Sequence, residues 1–156
     1  DLDKPVIEFS ENTKDECIHD AEDTLTYVVF PPEALTIIFD NIISNACAHG
    51  FSKVGPDDIN IIRIEILTEG SDYVIEISNN GYPIENLSSQ EILTYGTTTE
   101  HAKTTNASSN HFGIGGYEIK KLMTEFGGDV EIVSTPDEEF TVTYRLIFHN
   151  TNIHEF

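Results

Sequence analysis

Asn41-Ile42-Ile43-Ser44-Asn45-Ala46-Cys47-Ala48-His49, read with the ten residues before it, decides how this chain is assembled. Apolar side chains at Leu35, Ile38, Phe39, Ile42, Ile43 and Ala46 follow the spacing of a helix with one buried face. Pro31-Pro32 stands where a first helical turn tolerates proline, and the pattern runs out near His49-Gly50. Asn41 and Asn45 lie four apart and off the apolar face, so their amides project in one direction from consecutive turns, and His49 continues the stripe. A helix with one apolar side needs a second layer to cover it, and the residues on either side supply strands.

On the C-terminal side, residues 53–58 contain Gly55-Pro56 and read as a loop. Residues 59–67 and 73–78 read as two strands joined by a turn over 68–72, and Asn79-Asn80-Gly81-Tyr82-Pro83 breaks the second one sharply. A short helix is expected within 85–93. Residues 95–112 are almost all Thr, Ser, Asn, His and Gly, which cannot bury a face and read as a mobile loop. Gly113-Ile114-Gly115-Gly116 then leads into a second amphipathic helix, with Ile119, Leu122, Met123 and Phe126 inward, Lys120 and Lys121 outward, and Gly127-Gly128 ending it. Residues 129–134 and 140–148 alternate as a hairpin around 135–138. On the N-terminal side, Val6-Ile7-Glu8-Phe9 reads as a short strand, 10–23 as an acidic connection, and 25–30 as a strand feeding the first helix; 149–156 reads as a loose tail.

The chain has 156 residues, which suits one domain, and 28 acidic against 8 basic residues give a net charge of −20. That charge excludes a phosphate-backbone binder, whose affinity would come from Lys and Arg, so no nucleic acid partner is expected. It also argues against direct contact with an anionic membrane, and no run approaches the roughly 18 apolar residues of a membrane span. The opening Asp1-Leu2-Asp3 and the lone Met123 suggest a piece excised from a longer protein. Cys17 and Cys47 fit no metal motif and are expected to stay reduced thiols.

Two clusters carry chemistry. An amide oxygen on the Asn41–Asn45 stripe can complete the octahedral shell of a magnesium ion that also holds phosphate oxygens and water. Taken alone, an Asn pair four apart reads first as a solvated polar face. The glycine cluster opens a helix, where free backbone N–H groups and the positive end of the dipole favour an anion, although glycines also serve tight packing. Neither familiar phosphate fingerprint fits: there is no Gly-x-x-x-x-Gly-Lys-Ser/Thr, and a polar loop rather than a strand precedes the glycines.

The order of these features resembles one family. The segments running from Asn41 to His49, Ile77-Ser78-Asn79-Asn80-Gly81-Tyr82-Pro83-Ile84 and Gly113-Ile114-Gly115-Gly116-Tyr117-Glu118-Ile119 look like the nucleotide-binding boxes of the gyrase, histidine-kinase and MutL ATPase superfamily. The trailing Phe126-Gly127-Gly128-Asp129 and Phe140-Thr141-Val142-Thr143 also match, so the resemblance covers about 30–148. It implies an α/β (α+β) two-layer sandwich of the Bergerat type, with a mixed sheet, helices on one face and a mobile ATP lid over 95–112. Residues 1–156 would form a single domain: strand and acidic connection over 1–24, core over 25–148, tail over 149–156.

Carried over position by position, the resemblance implies ATP and magnesium as cofactors. Asn45 would hold the metal and Asn41 would lie near the phosphates. His49, Asn79, Gly81, Ile84, Thr97, Thr98, Lys103, Gly113, Ile114, Gly115 and Gly116 would line the nucleotide, with Asn79 facing the adenine and Gly96-Thr97-Thr98-Thr99 resembling the start of the lid. Members that hydrolyse ATP, and the anti-sigma serine kinases, carry Glu where this chain has Asn41. Asn is no general base near neutral pH, which favours the sensor histidine kinases, where a histidine on a separate domain supplies the nucleophile. Five positions depart from the pattern: Asn79 replaces Asp, Pro83 a glycine, His111 another glycine, and Ala48 and Glu100 stand where Lys is frequent.

The resemblance therefore implies the ATP-binding catalytic domain of a two-component sensor histidine kinase, transferring the γ-phosphoryl of Mg-ATP to a histidine on a separate dimerisation domain of the same parent protein. Its partners would be ATP and ADP, that dimerisation domain, and indirectly a response regulator. The location implied is cytoplasmic, with a parent that is a candidate for membrane anchoring. The alternatives are an anti-sigma-type serine/threonine kinase and a degenerate nucleotide-binding or docking module of the same fold.

Overall fold

The computed structural model describes residues 6–12, 26–51, 59–84, 87–94, 114–149 and 153–155. The expected loop at 53–58, the lid at 95–112 with Thr97, Thr98 and Lys103, and Gly113 lie outside the described residues, as does Cys17.

The first long helix, α1 (Pro32–Asn45), begins with proline in its first turn and continues into a π-helical turn, Ala46–Gly50, closed by the Phe51 N–H donating to the Ala46 carbonyl at 2.9 Å. Ala34, Ile38, Ile42 and Ala46 are buried, with Leu35, Phe39 and Ile43 packed beside them, which is the face the spacing predicts. The strands are β1 (Val6–Asn12), β2 (Thr26–Val28), β3 (Ile61–Glu69), β4 (Asp72–Asn79), β5 (Gly128–Ser134), β6 (Val142–Phe148) and β7 (Ile153–Glu155). Two more helices complete the described elements: the single turn α2 (Ser89–Ile92) and α3 (Gly115–Glu125).

Five strands form one mixed sheet in the order β1-β3-β4-β6-β5, with β1 parallel to β3 and the other neighbours antiparallel. The register stacks its helix-facing residues in rows: Ile62, Asn79, Val142 and Ser134; then Ile64, Ile77, Tyr144 and Ile132; then Ile66, Ile75, Leu146 and Val130. Against these rows pack Ile38 and Ile42 from α1, Ala46 from the π turn, and Ile119 and Met123 from α3, giving one apolar layer between sheet and helices. Alternation within strands assigns the faces, and β6 shows it most clearly, with Val142, Tyr144, Leu146 and Phe148 buried and Thr143, Arg145 and Ile147 turned away. At one end the layer is closed by Phe30, edge-on to Phe126 and Phe148 with ring centroids 5.5 and 5.3 Å apart.

Several boundaries differ from expectation. β1 reaches Asn12, because pairing with β3 from Val6↔Ile61 to Asn12↔Leu67 recruits residues whose composition reads as connection. The expected turn over 68–72 shrinks to two residues, since Gly70 at φ 63° turns the chain directly and lets Glu69 pair with Asp72. The tail is not wholly loose: Ile153–Glu155 pairs antiparallel with β2 as a separate two-stranded sheet, so the short strand before α1 gains the partner it lacks in the main sheet. The short helix expected within 85–93 is α2, started by Ser88, whose side chain accepts from the Glu91 N–H while Glu91 accepts from Ser88 in return.

Candidate functional site

The C-terminal end of β4, the end of α1 and the start of α3 meet at one edge of the sandwich, and the Asn and Gly residues picked out by sequence converge there. Asn45, half-buried on the last turn of α1, reaches down to the sheet, where its Nδ2 lies 3.4 Å from the Tyr144 hydroxyl. Tyr144 stands in an otherwise aliphatic cross-strand row with Ile64, Ile77 and Ile132 and is 4% exposed. Burial pushes its phenol above the ordinary value, partly offset by Asn45, so it remains a neutral hydroxyl at working pH.

One turn earlier, Asn41 donates through Nδ2 to the Ile37 carbonyl at 3.0 Å and to Glu118 Oε2, on the first turn of α3, at 2.9 Å. Both partners accept only, so the amide orientation is fixed and Oδ1 is the prong left over. That oxygen faces the start of α3: a Cβ built on Gly115 would lie 2.9 Å from Asn41 Oδ1 and 3.5 Å from Asn45 Nδ2. Gly115 is thus the residue that lets the N-terminus of α3 approach both amides. Gly116 is also constrained by packing, since a Cβ there would lie 2.3 Å from the Ile92 carbonyl oxygen of α2. Ile114, before the helix, is 40% exposed.

At the other side of the edge, Asn79 closes β4 and is 5% exposed. Its Oδ1 accepts from the Gly81 N–H at 3.1 Å, and its backbone carbonyl accepts from the Thr141 N–H at 3.0 Å. Thr141 Oγ1 also donates to the Gly81 carbonyl at 2.5 Å. The π turn and this break are locked together: the Tyr82 N–H donates to the Gly50 carbonyl at 2.8 Å, and a Cβ on Gly81 would sit 2.4 Å from that same oxygen. The close approach that Gly81 makes within the chain is therefore to Gly50. Ile84 is held by Ser134, whose Oγ accepts from its N–H at 2.9 Å, and packs on the core. The wider π turn displaces His49 from the line an uninterrupted helix would give it, and it is half-buried rather than open.

The structure thus brings together Asn41, Asn45, Ile114 and Gly115 at one end of this edge, and Asn79 with Gly81 at the other. Sequence reasoning missed Tyr144, Glu118 and Thr141. Tyr144 carried a signal, because a tyrosine in a buried alternating row needs a partner for its hydroxyl; the other two carried none. Among the described residues no group of three His, Cys, Asp or Glu could hold a metal ion. A groove of 660 Å³ lined by Leu93, Thr94, Tyr117, Lys120, Lys121, Thr124 and Glu125 runs along the outer side of α3, but it contains none of the converging amides. The hydrogen bonds and close approaches, not the groove, mark the site.

Residues 31–150 match the family of histidine kinase-, DNA gyrase B-, and HSP90-like ATPases. No curated protein is detectably similar in sequence. Among solved structures, the mycobacterial sensor histidine kinase MprB superposes with a TM-score of 0.61 at 13% identity, covering 91% of this chain and 80% of that one. The catalytic domain of the histidine kinase ThkA superposes at 0.59 and 17% identity, covering 92% and 79%. At such identities the likeness concerns the fold, and it agrees with the mixed sheet carrying its helices on one face. With the family model matching 31–150, this chain belongs to the histidine kinase-, gyrase- and HSP90-like ATPases.

Proposed function

We propose that this chain is the ATP-binding catalytic domain of a sensor histidine kinase, handing the γ-phosphoryl of magnesium ATP to a histidine on a separate dimerisation domain. The observation that carries the reading is the junction of α1 with α3, where Asn41 Oδ1 and the Asn45 amide meet Gly115 at a helix N-terminus. Hard amide oxygens beside backbone N–H groups suit a magnesium ion shared with phosphates, and a protein cage of carboxylates is not required. Magnesium, when bound, neutralises phosphate charge. That matters here, because Glu118 lies against Asn41 and would otherwise repel a triphosphate.

The protein's own part is to bind and orient. Asn45 would coordinate the metal, Asn41 would face the phosphates with its amide held by Glu118, and the first turn of α3 would cradle them. Asn79 and Gly81 would bound the base, with His49 and Ile84 beside it, and Thr97, Thr98, Lys103 and Gly113 would close over the phosphates. With Asn at position 41, the chain places no carboxylate there to activate water, in keeping with a nucleophile that arrives on another domain. Magnesium, the histidine acceptor, a response regulator and a cytoplasmic setting belong to this proposal. In its favour as a water-facing domain, no helix among the described residues is long and apolar enough to cross a membrane.

Calorimetric titration with ADP and a non-hydrolysable ATP analogue, with and without magnesium, tests the reading. Saturable binding strengthened by magnesium and lost in Asn45→Ala is expected. A folded chain with an unshifted melting temperature at millimolar Mg-ATP would overturn it and leave a docking module, since a ligand preferring the native state must stabilise it. Acid-labile phosphate on a histidine-bearing domain, rather than acid-stable phosphoserine, separates the kinase types.

A further inference from the structure

Asn79 is a 95% buried amide with one prong committed. Its Oδ1 takes the Gly81 N–H at 3.1 Å, and it is also the atom nearest a Cβ built on Gly50, at 3.0 Å. A backbone N–H only donates, so the side-chain atom facing it must be the oxygen, and a flipped amide would set two N–H groups against each other. The Nδ2 amino group is therefore the other prong. It donates to no atom of the described residues. A buried amide whose second prong meets no acceptor among the described residues is half of a hydrogen bond awaiting one.

Granted the nucleotide site proposed above, with its base against Asn79, we infer that this residue opens the base pocket to 6-oxopurines, so that the site takes inosine and guanosine triphosphates alongside ATP. The 6-substituent of adenine is an amino group, a donor, and it meets Nδ2 as donor against donor. Adenine must then use the second lone pair of an Oδ1 already engaged by Gly81, or shift to offer a ring nitrogen. The 6-substituent of hypoxanthine and guanine is a carbonyl oxygen, which accepts from Nδ2 with no rearrangement of the loop. A carboxylate at this position would reverse the preference, because it only accepts and its charge strengthens the bond to an amino group. Thr141, just before β6, fastens the Asn79 and Gly81 carbonyls and so holds in place the loop whose Gly81 N–H orients the amide.

The test compares the magnesium triphosphates of adenosine, inosine and guanosine by calorimetry on the unmodified chain, then on Asn79→Asp. In the parent, ITP and GTP are expected to bind within about threefold of ATP or more tightly, and Asn79→Asp is expected to shift the ATP:ITP affinity ratio by about tenfold or more toward ATP. ITP and ATP differ only at position 6 and its neighbouring ring proton, so equal behaviour of ITP and GTP assigns the effect to the 6-oxo group. A parent that prefers ATP over both by tenfold or more overturns the inference while leaving the nucleotide site standing. Failure of all three to bind removes that site and the inference together. The parent titrations decide the matter even if Asn79→Asp fails to fold.

Discussion

Asn45 holds one long hydrogen bond inside the protein, to Tyr144 at 3.4 Å, and stands half-buried. Truncation to Ala should therefore cost about 1 kcal/mol or less of folding stability while removing the oxygen proposed to hold magnesium. Urea unfolding is expected to give a midpoint close to that of the parent, and calorimetry to show nucleotide binding that no longer responds to magnesium. A variant that keeps full magnesium dependence would place the metal elsewhere. Gly115 makes a contrasting case. The atom its Cβ would strike, Asn41 Oδ1, ends a side chain that can give way by loosening its bonds to Ile37 and Glu118, so Gly115→Ala should weaken nucleotide binding far more than it lowers the melting temperature. Equal loss of both would mean that Gly115 serves packing alone.

At the scale of elements, the joint between α1 and β4 rests on backbone rather than side chains. The oxygen 2.4 Å from a Cβ on Gly81 belongs to the Gly50 main chain and accepts from Tyr82, so it cannot move without breaking the joint. Gly81→Ala should cost about 2–3 kcal/mol, read as a lower urea midpoint with unchanged slope. Ser88→Ala, which removes the N-cap of α2, should cost about 1 kcal/mol in the same measurement. These joints also mark where sequence reading stopped. The helix faces, the alternating strands and the Asn41–Asn45 stripe were legible because each is a local period. The partner of β2 was not, because Ile153–Glu155 lies more than a hundred residues away and its three residues carry no periodic signal. The close approach of Gly81 to Gly50 was not legible either, because only the meeting of distant elements creates that contact. Glu118 was invisible for the same reason, its role arising from α3 packing beside α1.

The whole molecule carries a net charge of −20, and its sheet face away from the helices concentrates part of that charge around a single cation. Arg145 donates to Glu76 at 2.9 Å, to Glu131 at 2.8 Å, and also to Glu69, drawing carboxylates from three strands onto one guanidinium. Burial alone would make that guanidinium easier to deprotonate, but the bonds from Glu69, Glu76 and Glu131 override it and hold its pKa above the ordinary value. A raised cation adds stability that is lost only as pH climbs through its folded pKa, well above any working range, so Arg145 itself contributes no pH dependence there. Asp129 behaves in the opposite sense. The hydrogen bond from Lys120 lowers its pKa, so its contribution is present above the ordinary Asp value and is lost as pH falls through the lowered one. Replacing Arg145 with Met leaves three carboxylates facing one another on a partly covered surface. The expected penalty is about 1–3 kcal/mol at about pH 7, less than for a fully buried pair because water and salt screen much of it. Two further readings fix the cause. The penalty should shrink at about pH 4, where carboxylates take up protons, and in about 0.5 M salt, where the Debye length falls to a few ångströms. Urea melts of parent and variant across pH and salt provide the check. A penalty indifferent to both would mean that Arg145 stabilises the sheet through the packing of its stem, and that repulsion among the acids on this face is not what limits the stability of the fold.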